Sequence, residues 1–164
     1  MRADFPIILD ANILAESATS DLFLRLSEEP RLVSSRWTEE IWEEARRTMV
    51  VRLGWPEETT DSRIAAAIRA KVETIVTMNV KHFKAADLAP RGVTAAHAGE
   101  YLKVLYDLDE GVVVSVLHKM AAVRNKTLLE MLTRLSAGVL AFTAHVASDL
   151  GLEVPKYSPQ VRKI

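Results

Sequence analysis

Three carboxylates stand where apolar surfaces end: Asp10, Glu44 and Asp61. Asp10 follows the run FPIIL. A strand that is apolar on both faces and stops at a carboxylate delivers an acid to the end of a sheet. Glu44 lies closest to the helical stripe Ile41, Ala45, Thr48 and Met49. Glu40 is further round, and Glu39 and Glu43 point away. Asp61 shares a helix face with Ile64 and Ile68. Burying unpaired carboxylates is costly, so three that converge need Arg/Lys partners or a divalent cation. Oxygen ligands, in a chain with no cysteine, suit Mg²⁺ or Mn²⁺. Each acid also has a plainer use. Asp10 can cap the segment after it, Glu44 can be a solvated helix acid, and Asp61 can be only an N-cap.

The elements that must position these acids follow from hydrophobic pattern and punctuation. Phe5 to Leu9 is the first strand. Residues 12–27 read as helical, with Leu14, Leu22, Phe23 and Leu26 apolar, and Leu32 and Val33 as a second short strand. SSRWTEEIWEEARRTMVVRL carries a helix over 39–53. Thr38 is its N-cap, Glu39 and Glu40 lie in the first turn, and Arg46 and Arg47 lie later, matching the helix dipole. Trp37 and Trp42 take the positions of a hydrophobic staple. GWPEETTD (54–61) is a break, after which Asp61 opens the helix SRIAAAIRAKV. ETIVT (73–77) is a third strand and GVTAAH (92–97) a fourth. From Gly99 the pattern is helical, with a capping box at Thr127 and Glu130 and a helix stop at Gly151. Strands alternating with helices predict an α/β layer structure over residues 1–105, followed by a helical C-terminal part over 106–164.

The totals bound the function. A chain of 164 residues, 49% apolar, suits one domain with an appendage and its own core. A net charge of −1 excludes a bulk cationic nucleic-acid binder. The charge is uneven, however: residues 1–60 hold seven Lys/Arg against twelve Asp/Glu, and residues 61–103 hold seven against four. An acidic segment beside a basic one suits a metal site acting on a polyanion, and solvated helix faces are the plainer reading. GVVVSVL (111–117) is far too short for a membrane span, and no secretory signal is apparent, so a cytoplasmic protein is expected. His97, His118 and His145 have no ligand spacing among them.

ILDANIL, SSRWTEEIWEEARR, DSRIAAAIRAKVETIVTMNVKHF and GVTAAHAGEYL together resemble the PIN-domain family, in the family's chain order. The resemblance implies a three-layer α/β/α fold on a parallel sheet, here of four strands. It implies metal-dependent cleavage of RNA by a cluster of acids, and many bacterial members are toxins of toxin–antitoxin pairs. Position by position, Asp10, Glu44 and Asp61 match the first three acids and would hold Mg²⁺ or Mn²⁺. Asn79 falls where many relatives carry a further acid, His82 where an Asp is common, and Asn12 where a polar residue orients the cluster. Lys71, Lys81, Lys84 and Arg91 are the candidate contacts to RNA phosphates. The implied partners are RNA, an antitoxin protein and a second copy of the chain. Two features depart from the pattern: the stretch between Glu44 and Asp61 is short, and Asn79 leaves three acids rather than four. The alternative is a catalytically silent relative that binds a protein partner or RNA.

Overall fold

Ile7, Ile8 and Leu9 are each at most 1% exposed, so successive side chains of β1 (Phe5–Leu9), which point to opposite faces, are buried on both. That is the environment of a central parallel strand. The computed structural model describes residues 5–14, 16–28, 31–36 and 72–153. Glu44, Asp61 and Lys71, the helix expected over 39–53 and the break at 54–61 lie outside these residues.

β1 is flanked by β2 (Val33–Arg36) on one side and β3 (Thr74–Thr77) on the other, and β3 by β4 (Thr94–His97). The order is β2-β1-β3-β4 and every described pair is parallel. The protein is thus of the α/β layered class with a helical C-terminal part. Register pairs Phe5 with Val33, Leu9 with Val76 and Thr77 with His97. β2 runs three residues beyond the expected Leu32–Val33. Its pairing with β1 is through the backbone, so Ser34 and Ser35 extend it without an apolar signal.

The helix expected over 12–27 is two helices, α1 (Ala11–Leu14) and α2 (Ser17–Leu26). Glu16, extended at φ −90° and ψ 97°, separates them. Leu22, Phe23 and Leu26 of α2 are fully buried. A four-residue helix, α3 (Ala85–Leu88), and two 3₁₀ turns, Val80–His82 and Ala89–Arg91, connect β3 to β4. Gly92, at φ 66°, supplies the left-handed residue that turns the chain into β4.

Three helices follow among the described residues: α4 (Ala98–Leu108), α5 (Glu110–Val123) and α6 (Leu128–Asp149). The expected boundary at residue 105 falls inside α4. One buried cluster runs from Ile7 of β1 through Leu102, Leu117 and Leu135 to Ala147 of α6. The expected capping box is present: Thr127 Oγ1 accepts from Glu130 N at 3.2 Å, and Glu130 Oε2 accepts from Thr127 N at 2.8 Å. The Thr127 backbone hydrogen bond holds the Glu130 carboxyl below its usual value. α6 breaks at Val139, whose φ −128° and ψ 53° are not helical. Thr143, fully buried, donates to Leu140 O at 3.0 Å just beyond the break. At the far end of the same helix pair, Tyr106 donates to Asp149 Oδ2 at 2.8 Å, and burial followed by that acceptor pushes the phenol well above its usual range. Asp21 of α2 accepts from Arg25 at 3.0 Å and from Arg124 at 2.8 Å, tying α2 to the end of α5. Among the described residues no single helix is long and apolar enough to cross a membrane.

Candidate functional site

β1, β3 and β4 are parallel neighbours, so their C-terminal ends open on one edge of the sheet. In open α/β sheets that edge is where ligands bind. Asp10 stands there at the exit of β1. Its N–H donates to Val76 O at 2.9 Å, which extends the ladder to β3 by one rung, and its carbonyl accepts from Ile13 N at 2.9 Å, which starts α1. One residue therefore serves as the last of the strand and the first support of the helix. Its side chain is fixed by both, and Asp10 is 1% exposed.

Thr77 is the hub of the network around it. The hydroxyl donates to Asp10 Oδ2 at 2.7 Å. It accepts from Asn12 Nδ2 at 3.3 Å and from Asn79 N at 3.0 Å. A hydroxyl has one proton to give and two lone pairs to fill, and here all three are used. With its only proton committed to the carboxylate, Thr77 holds Asp10 Oδ2 in a fixed place. Asn12 reaches across in the other direction too: its Oδ1 accepts from Met78 N at 3.2 Å. Asn12 thus staples α1 to the exit of β3.

Asn79 borders the same edge through its backbone bond to Thr77. Its side-chain amide lies 3.0 Å from His82 Nε2. Lys81, Lys84 and Arg91 are all exposed on the β3–β4 connection that leaves this edge. Arg91 Nη1 donates to Asp87 O at 2.9 Å, which holds its guanidinium at the surface. His97 closes β4. Its Nδ1 accepts from Gly99 N at 3.1 Å and caps α4.

The structure brings Asp10, Asn12 and Asn79 to one edge, with Lys81 and Lys84 on the connection that leaves it, whereas Arg91 precedes β4, whose first residue pairs with the start of β3 at the opposite edge. Glu44, Asp61 and Lys71 lie outside the described residues. Among the described residues no three of His, Asp and Glu gather in a metal-holding group. Reading the sequence for acids missed Thr77, which lay inside the quoted IVTMN but was not singled out. A separate cavity of about 260 Å³ between α2 and α5 is lined by Arg25, Asp109, Ser115 and Lys119 among others. It shares no residue with the Asp10 network, so it is not part of the same cleft. No family model, curated protein or solved structure matches this chain.

Proposed function

We propose that the chain is a metal-dependent ribonuclease that hydrolyses RNA phosphodiesters, the toxin of a cytoplasmic toxin–antitoxin pair. The observation that carries the reading is Asp10: a carboxylate 1% exposed at the C-terminal end of a central parallel strand, held by a hydroxyl that has no proton left for any other group. A carboxylate at the C-terminal end of a central parallel strand stands where ligands bind in open α/β sheets. Its oxygens are the hard donors that Mg²⁺ or Mn²⁺ takes. In this reading Glu44 and Asp61 complete the ligand set, and Asn79 adds a neutral oxygen or a hydrogen bond at its border. Such an ion, when bound, polarises the phosphodiester and lowers the pKa of a water for in-line attack. Thr77, itself bonded by Asn12, keeps the Asp10 carboxylate aimed. Lys81, Lys84, Arg91 and Lys71 hold the flanking phosphates. An antitoxin protein and a second copy of the chain are the protein partners.

The test is cleavage of a single-stranded RNA in Mn²⁺, with EDTA as control. The parent cleaves and EDTA stops it. Asp10→Asn lowers the rate roughly 100-fold or more, the scale on which a positioned catalytic group acts, and leaves the melting temperature unchanged or raised. An Asp10→Asn protein as active as its parent removes Asp10 from the mechanism.

The second reading is a catalytically silent relative that binds RNA or a protein. Asn79 favours it, since its amide contacts His82 where two acids would otherwise stand. A divalent-ion titration followed by thermal shift separates the two readings. An ion that binds only the folded state raises the melting temperature by mass action, and a flat titration leaves the silent reading standing.

A further inference from the structure

His97 is committed at one end and open at the other. Nδ1 accepts the Gly99 N–H, so it carries no proton, and the proton of the neutral ring sits on Nε2. Among the described residues Nε2 has no hydrogen-bond partner, and the residue is only half-buried. The cap thereby fixes the tautomer and leaves a single directed N–H donor beyond it.

The ring's place is fixed as well. A Cβ added at Gly99 would lie 3.3 Å from His97 Nδ1 and 3.7 Å from Cε1, so glycine there makes room for the imidazole. His97 is the register partner of Thr77 on adjacent parallel strands. Register partners in parallel strands project to the same face of the sheet, so His97 stands on the face from which Thr77 reaches Asp10. It stands on the far side of Thr77 from Asp10, two strand spacings away, or about 10 Å. That is beyond first contact with a group held at Asp10 and within reach of the next nucleotide of the same strand. The connection that leaves β3 just beyond Thr77 carries the exposed Lys81 and Lys84.

We propose that His97 binds the RNA nucleotide flanking the cleavage position, donating Nε2–H to a non-bridging phosphate oxygen while Nδ1 caps α4. This rests on the ribonuclease reading. In it His97 is a substrate-contact residue that sets affinity, and Asp10 sets the rate.

Two substitutions divide the roles, because asparagine places an acceptor near Nδ1 and glutamine places an N–H₂ near Nε2. His97→Asn keeps the cap and removes the distal donor. Its melting temperature stays with the parent's, while KM for single-stranded RNA and Kd for a fluorescein-labelled RNA oligomer in EDTA rise about tenfold, the worth of one hydrogen bond to a charged acceptor. Its kcat stays within about twofold, since the contact serves binding rather than the chemical step. His97→Gln does the reverse, holding affinity and lowering the melting temperature. If His97→Asn does not fold, His97→Gln alone still decides, because tenfold weaker binding by a folded His97→Gln overturns the assignment. A His97→Asn protein with unchanged KM and Kd overturns it too, and leaves the ribonuclease reading intact. A parent that neither binds nor cleaves RNA removes that reading, and this assignment with it.

Discussion

Thr77 shows how a functional residue hides in a strand. Threonine is a good strand former, so within TIVT it reads as sheet. Its importance comes from β3 lying beside β1, which sets its hydroxyl against Asp10, and no local pattern of residues specifies that adjacency. Asp10, Asn12 and Asn79 were legible because a carboxylate or amide at the end of an apolar run is itself a break in pattern. Thr77→Val keeps the shape and removes the hydroxyl. It removes the hydrogen bond to Asp10 Oδ2 and the acceptor used by Asn12 Nδ2 and Asn79 N, and should cost about 1–3 kcal/mol in chemical denaturation. RNA cleavage should fall by about 10–100-fold, as when a group orienting a metal ligand is lost. Thr77→Ser should recover most of both. If Thr77→Val denatures and cleaves like the parent, the hub contributes nothing.

At the scale of elements, signals confined to one turn were readable and those depending on a neighbour were not. The Thr127–Glu130 box is local, and it formed as expected. The length of β2 is set by β1, and the division of residues 12–27 by a single extended residue, Glu16. The break at Val139 has a tertiary companion: a Cβ on Gly138 would lie 3.1 Å from Met78 Cε and 3.3 Å from Thr19 Oγ1. Helix α6 therefore presses on the residue next to Thr77. Gly138→Ala should displace Met78, whose flexible end can yield, and lower RNA cleavage more than it lowers the melting temperature. A loss of stability with cleavage untouched would separate the break from the site. The capping box makes a pH prediction. The Thr127 backbone hydrogen bond holds the folded Glu130 carboxyl below its ordinary pKa of 4.5. Its contribution is therefore present above that value and fades as pH falls through the lower folded one. Thermal melts across this acid range should fall less steeply for Glu130→Gln than for the parent, and parallel curves would mean the cap is idle. Thr127→Ala should cost about 1 kcal/mol at neutral pH.

Taken whole, the molecule carries a net charge of −1, so any RNA affinity must come from a local set of cations. With Lys71, Lys81, Lys84 and Arg91 each neutralising one phosphate, log Kd for single-stranded RNA should rise against log salt with a slope of about 3. Each Lys→Ala change in this set should lower the slope by about 0.7. A slope near zero would remove these four residues from the interface. Charge asymmetry between segments was visible in the sequence. What was not visible is that the helical C-terminal part shares one core with the sheet, from Ile7 to Ala147, because burial is decided by packing partners distant in sequence.

The bonds that build the candidate site link residues 65, 66 and 67 positions apart: Asn12 to Thr77, Asn12 to Met78 and Thr77 to Asp10. Each closes a long loop, and loop entropy must be overcome before such contacts stabilise anything. Chains dominated by distant pairings, parallel sheets above all, reach their native state slowly. Collapsed intermediates can thus hold α5 and α6, whose helical contacts are local, while Asp10 is still exposed to water and unaligned. In refolding from denaturant, helical circular dichroism should return first. The Asp10 site should appear only in the slowest phase, when β1 finds β3, so on the ribonuclease reading a nascent or partly unfolded chain should be inert toward RNA until the last step of its own assembly.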